Sequence, residues 1–214
     1  MAYSETAALQ LKAGQLCLDF ANTAEWHASD HPEESLTSYA ALLAWAQGIG
    51  LLSERAAVHL SRAAARDSKA AAAVLGEAIA LREAIYRIFA SHAHGRAPHA
   101  GDLTTLNTAL ARALPHARLV TTADGYAWDW APDDHPLDAM LWPIARSAAD
   151  LLTSADLDRV GQCADDRGCG WLFWDTSKNH TRRWCYMRDC GNRAKARRHY
   201  ARLRERDAGQ EAEA

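Results

Sequence analysis

Over the first 160 residues the apolar positions recur mostly at helical spacing, with a few short stretches that alternate as strands do. The run Leu16-Cys17-Leu18-Asp19-Phe20 alternates and enters polar Asn22-Thr23, which predicts a strand leading into a turn. Cys17 reads there as a small core residue rather than a reactive thiol. Thr23 to Glu34 is polar, contains Pro32 and predicts a loop. Helical patterns follow. Ser35 is a candidate cap for a helix from Leu36 to Gln47, with Leu36, Tyr39, Leu43 and Ala46 on one face and Gly48 at the stop. Ser53, with Glu54 and Arg55, opens a second helix through about Asp67. The stretch Ala70 to His92 predicts a third, with a broad apolar face of Val74, Leu75, Ile79, Ile85, Ile88 and Phe89. Asp102 is placed to cap a fourth that ends at Leu114 and Pro115.

The texture then changes. Arg118–Thr122 and Tyr126–Trp130 are β-rich runs on either side of Ala123-Asp124-Gly125, and an Asp-Gly pair in that setting predicts a hairpin. A helix from Pro136 to Leu152 follows, kinked or restarted at Pro143. Thr153-Ser154 caps a short turn, Asp156 to Val160. Further on, Trp171–Trp174 and Arg183–Tyr186 alternate about a polar turn at Asp175–His180, which predicts a second hairpin with Cys190 at the start of a final helix.

Charge sharpens this picture. The net charge is -3, but from Trp171 to Arg206 eleven Lys/Arg stand against three Asp/Glu, leaving about +8 at one end and about -11 elsewhere. Such an asymmetry points to an anionic partner at the basic end. The chain has no apolar stretch long enough to cross a membrane, and its first residues lack a basic region followed by an apolar run. A cytoplasmic location is expected, where thiols stay reduced and clustered cysteines favour metal over disulfides.

Four of the five cysteines, Cys163, Cys169, Cys185 and Cys190, fall in one short segment. Two close pairs separated by a longer interval suit a tetrahedral zinc ion, since each pair fills two positions and the interval returns the chain. Four thiolates close the coordination sphere, so one structural zinc is expected, with no open position for hydrolytic chemistry. The segment holds too little apolar mass to fold alone, so the metal supplies the folding free energy. The competing reading is a set of unrelated buried cysteines.

Cys169-Gly170-Trp171-Leu172-Phe173, Asp175-Thr176-Ser177-Lys178-Asn179, Arg182-Arg183-Trp184-Cys185 and Cys190-Gly191-Asn192-Arg193 resemble the CGNR zinc-finger family. The upstream region, beginning Leu18-Asp19-Phe20-Ala21-Asn22-Thr23, resembles the ABATE domain that precedes this finger. The resemblance implies a stress-induced transcriptional regulator whose finger binds DNA. It divides the chain into an ABATE-like sensor domain (1–160), a CGNR-type finger (161–207) and a disordered acidic tail (208–214). The fold class expected is α+β: a mainly helical N-terminal domain with a few strands, then a small zinc-bound β-hairpin plus helix module.

On a helical wheel from Cys190 onward, Lys195, Arg198, Arg202 and Arg206 form one basic stripe, and Arg193, Arg197 and Arg204 a second edge. Ala196, Tyr200 and Leu203 form an apolar stripe expected to pack on the module. Arginine offers a planar fork for phosphates or guanine edges, and Lys178, Arg182 and Arg183 add cations from the turn. Double-stranded DNA is the expected partner, against three alternatives: a merely solvated helix, contact with an acidic protein surface, and RNA or protein interaction without a transcriptional role. Trp171, Phe173, Trp174 and Trp184 read as a mini-core rather than base-stacking platforms. In the N-terminal part, Asp19, Asn22, Trp26 and Arg82 are candidate contacts for a small-molecule effector, each with a structural role as the competing reading. A homodimer is left open. No nucleophile–base pair, glycine-rich phosphate loop or His-Glu metal motif suggests an enzyme.

Overall fold

The computed structural model describes residues 10–123, 125–130 and 136–212, with side chains to Arg204. The run expected as a strand is instead helix α1, Leu16–Ala21, buried at every position. A short apolar run without exposed positions carries no usable period, and here surroundings decide. Asp19 bends back to accept the backbone N–H groups of Lys12 and Ala13 at 2.8 Å each, fixing the chain that leads into the helix. α1 packs against α4 (Ser68–Ala93) and α6 (Leu141–Leu152), placing Leu18, Phe20 and Cys17 at the centre of the core. Burial pushes the Cys17 thiol up to about 12, so it is inert packing.

The helices otherwise follow the pattern with shifted ends. α2 is Tyr39–Gly48, capped by Ser38 rather than Ser35, whose hydroxyl accepts from Ala41 N–H. α3 (Glu54–Arg66) is capped by Ser53 as expected, and Asp67 caps α4. α5 (Ala100–Ala113) is capped by His99; Asp102 lies inside its first turn and is spent on Arg87 at 2.6 Å. Pro136 does not start α6, which begins at Leu141, and Pro143 sits in its first turn, where a missing N–H costs nothing.

Among the described residues, three two-stranded antiparallel ladders accompany the helices. Within the segment read as a loop, β1 (Ala24–Glu25) pairs with β2 (Glu33–Glu34). β3 (Ala117–Thr122) and β4 (Gly125–Trp130) form the expected hairpin, in register Ala117 with Trp130 through Thr122 with Gly125; Asp124 lies outside the described residues. The third ladder corrects the sequence reading. β6 (Leu172–Trp174) pairs with β5 (Val160–Gln162), not with 183–186. The partner strand was hidden because Val160-Gly161-Gln162 is too short to show alternation. It is selected by space: a Cβ at Gly161 would lie 2.6 Å from the Phe173 ring.

β6 joins the body to the cysteine segment. Leu172 and Trp174 face the helical core, while Phe173 faces the sulfurs, as the two-residue period of a strand requires. Asn22, at the end of α1, clamps the strand. Its Nδ2 donates to the Leu172 carbonyl at 2.8 Å and its Oδ1 accepts the Leu172 N–H at 2.9 Å. Trp174 N–H donates to Ala13 O at 2.8 Å.

Asn22→Ala would leave a buried donor and a buried acceptor unpaired, each costing about 1–3 kcal/mol. We expect a loss of about 2–4 kcal/mol, which for a chain of this size lowers the thermal midpoint by roughly 5–10 °C. Calorimetry checks this, and a midpoint within a degree of the parent would refute the clamp.

Candidate functional site

The four cysteines converge from three places: Cys163 just beyond β5, Cys169 just before β6, and Cys185 just ahead of the π-turn Met187–Gly191 with Cys190 within it. All four are buried, and their Sγ atoms lie within 4.8 Å of one another. Cys169–Cys185 and Cys185–Cys190 sulfurs are 3.7 and 3.6 Å apart. A zinc tetrahedron with 2.3 Å bonds has edges of about 3.8 Å, so the donor set fits the ion. Hydrogen bonding to the Cys163 and Cys169 sulfurs, then burial, pushes the Cys185 thiol far above its usual range, and burial does the same for Cys190. Hydrogen bonds from the Cys169 and Cys185 thiols hold Cys163, by contrast, down at about 2, so zinc binding displaces protons from Cys185 and Cys190 rather than from Cys163.

Local chemistry explains how so little sequence makes this site. Cys163 N–H donates to Trp171 O and Ala164 N–H to Arg183 O, both at 2.8 Å, tying the first ligand to the chain before the third. Buried Asp175 closes the turn by accepting N–H groups of Ser177 and Arg182 at 2.8 and 2.9 Å. Gly168 and Gly170 have φ of 88° and 66° and press against the body: a Cβ at either would come within 2.7 Å of Ser29 or Ala28. No other residue type fits there. Phe173, Trp26, Trp171 and Trp184 pack around the sulfurs, so three of the four expected aromatic residues form the mini-core. Trp174 departs to the body.

The cations expected to meet nucleic acid separate into two groups. Arg182 is internal: its guanidinium donates to the carbonyls of Trp184 (2.9 Å), Trp174 (3.2 Å) and Cys185, and lies 4.4 Å over the Phe173 ring. Arg193 and Arg197 are held by Asp165, and Arg193 Nη2 also donates to Cys190 Sγ at 2.8 Å. These three serve the module internally, while the Arg193 and Arg197 side chains stay 33 % and 36 % exposed. A charge tally that begins at Trp171 leaves out Asp165 and Asp166. Two carboxylates between zinc ligands, in so basic a module, were the available signal.

Lys178, Arg183, Lys195, Arg198 and Arg202 are exposed and carry no ion pair among the described residues. Arg183 and Arg198 flank the Trp184 ring at 5.2 and 5.8 Å, drawing turn and helix into one cationic face. The Arg206 side chain lies outside the described residues. Helix α7 spans Asn192–Ala212, so most of the segment expected as a disordered tail is helical; residues 213–214 are outside the description. The apolar stripe does not pack on the module: Tyr200 is 61 % and Leu203 38 % exposed. The helix projects instead of folding back.

The four effector candidates each have internal partners. Asp19 and Asn22 hold α1 and β6, as above. Arg82 is buried and paired with Glu34 and Glu83, at 2.5 and 2.9 Å. Glu83, although raised by burial, is held at about 2 by hydrogen bonds from His27 and Arg82. Trp26, at φ 54°, packs on the sulfur cluster beneath the guanidinium groups of Arg167 and Arg193. A different feature, a groove of about 240 Å³, lies between α4, α5 and α6, floored by Leu81, Ala109 and Leu141 and edged by the Glu77–Arg112 ion pair.

The architecture defines a zinc-binding protein in which a helical body carries a four-cysteine finger. Residues 14–155 match the family described as “Putative stress-induced transcription regulator” (ABATE), and residues 159–203 match the CGNR zinc finger. The chain belongs to the ABATE family and carries the CGNR finger at its C-terminal end. No curated protein matches it. Among the described residues no helix is long and apolar enough to cross a membrane.

One zinc per chain is expected by elemental analysis, lost on Cys185→Ser. Because β6 serves both cores, chelation should lower the melting midpoint of the whole chain, not only unfold the finger; metal binding in isolated fingers is worth about 10–16 kcal/mol. A body that melts unchanged after zinc removal would show the two parts to be independent.

Proposed function

We propose that this protein is a cytoplasmic transcriptional regulator that binds double-stranded DNA through α7 and the 175–183 turn, without catalytic activity. The observation that carries the reading is the cationic face of Lys178, Arg183, Lys195, Arg198 and Arg202, all exposed and without carboxylate partners among the described residues. An unpaired surplus of this kind on a projecting helix repels itself and is best relieved by a polyanion. Trp184, covered on its ring by Arg183 and Arg198, is poorly disposed to stack on an unpaired base, which favours duplex over single strand. A closed set of four thiolates offers no position for a reacting water, which supports a non-enzymatic role. The body is the proposed regulatory part, with the groove between α4, α5 and α6 as the place for an apolar effector.

A second reading is supported by Tyr200 and Leu203, exposed on the same helix. In it α7 is a protein-interaction or self-association element, and Tyr200→Ser with Leu203→Ser would change the oligomeric state rather than DNA affinity.

With about five phosphate contacts, log affinity for duplex DNA should fall against log salt with a slope near -4.5, a loss of about 10²–10³-fold between 50 and 200 mM. Arg198→Ala with Arg202→Ala should weaken binding by roughly tenfold or more and flatten the slope by about 2. Fluorescence titration over a salt series measures both. Affinity indifferent to the double substitution would reject α7 as the contact.

A further inference from the structure

The strap between the first two zinc ligands, residues 164–168, brings two carboxylates into a module otherwise rich in cations. The Asp165 side chain is wholly buried. Its Oδ2 accepts Arg193 Nε and Nη2 at 3.2 and 2.8 Å; its Oδ1 accepts Arg197 Nη2 and the Arg167 N–H, both at 3.2 Å. Arg193 and Arg197 are one turn apart on α7, so one carboxylate grips the helix at two points along its axis. Arg193 also touches the Cys190 sulfur. Asp166, 68 % exposed, reaches only Arg197, from the solvent side.

Beyond this grip, the described part of α7 is held by little more than the contact of Arg198 with the Trp184 ring. Ala196, Tyr200 and Leu203 are exposed, so no apolar face fixes the direction of the helix as packing usually does. We infer that Asp165 is a positioning residue: its double grip sets the angle at which α7 leaves the zinc centre and so aims Lys195, Arg198 and Arg202, without itself meeting the partner. Two contacts a turn apart define a line, whereas the covalent link at Cys190-Gly191 defines only a point. The aim of the cations rests on the reading of α7 as the DNA-contacting element; the fixed angle does not.

The test uses the full, zinc-loaded chain. A fluorophore on Tyr200→Cys reports α7 alone, since the native cysteines are buried. In Asp165→Asn we expect a larger fast component of local anisotropy decay, with one zinc per chain retained. Duplex affinity then gives a test by sign. Asp165→Asn removes a negative charge from a basic face, so a mere electrostatic neighbour would raise affinity on substitution. A positioning residue lowers it, by roughly five- to tenfold with the salt slope unchanged. Asp166→Asn removes the same charge from an exposed position and should raise affinity slightly. Arg193→Lys keeps charge but loses the planar fork, and should behave as Asp165→Asn does. An unchanged decay, or an affinity that rises in Asp165→Asn as in Asp166→Asn, overturns the inference. Loss of zinc from both Asp165→Asn and Arg193→Lys would also overturn it, making the carboxylate a support of the metal instead. If the parent binds no DNA, the DNA reading fails and the decay alone decides on the grip.

Discussion

One three-residue strand faces two cores, and the rest of the molecule is arranged around that fact. Leu172 and Trp174 enter the helical body while Phe173, between them, closes over the sulfurs. A strand can do this because successive side chains point to opposite faces. The arrangement fixes register absolutely. A slip of one residue would send Phe173 into the body and turn Leu172 and Trp174 toward the metal, so every contact would be exchanged at once. The Asn22 amide prevents the slip by engaging both backbone groups of Leu172, a pairing that a neighbouring residue could satisfy only by moving α1. The finger is therefore not tethered to the body by a linker. It is built on a strand that the body also needs.

From that strand outward the construction becomes progressively less hydrophobic. Around the sulfurs, Phe173, Trp171, Trp26 and Trp184 supply a small apolar shell. The next layer is ionic: Asp165 with Arg193 and Arg197, and Arg182 with three carbonyls. The outermost element, α7, is exposed at most of its positions up to Arg204. A helix that is polar nearly all round gains little from burial, so its support must come from its anchored end or from a partner. Zinc fixes the anchored end by holding Cys185 and Cys190 about the turn that precedes it. The metal thus acts on the basic face through geometry, with no coordination position left for chemistry.

What the sequence made legible follows the same gradient. The cysteine set, the α+β class and the long helices were readable because metal spacing and helical period are local signals. The strand assignment for Leu16–Phe20 failed because α1 is buried all round, and a run without an exposed face has no period to read. Pairing 171–174 with 183–186 was the local choice; the true partner, Val160–Gln162, lies on the other side of two ligands and declares itself only through Gly161, which makes room for Phe173. Polar residues near apolar elements are the natural sequence candidates for effector contacts. Asp19, Asn22 and Arg82 answer that description because they satisfy buried backbone or buried charge. A polar residue in an apolar setting marks a structural obligation as readily as a pocket, and sequence alone does not separate the two.

The same distinction governs the charges. A count of Lys and Arg measures electrostatic capacity only as far as each cation is free of internal partners, and Arg182, Arg193 and Arg197 are already engaged within the module. Their positive charge is engaged by Asp165 and by carbonyls around the metal. Moving Arg193 to a phosphate would strip the wholly buried carboxylate of Asp165 of one of its partners, and leaving a buried charge short of partners is costly. The cations that remain differ in kind: they are exposed, and Arg183 and Arg198 are brought together at the ring of Trp184. On the proposed DNA-binding reading, counterion release would depend on that remainder and not on the net charge of -3 or the formal excess of the basic segment. On the same reading the net negative charge outside the basic segment would oppose contact with a polyanion away from α7.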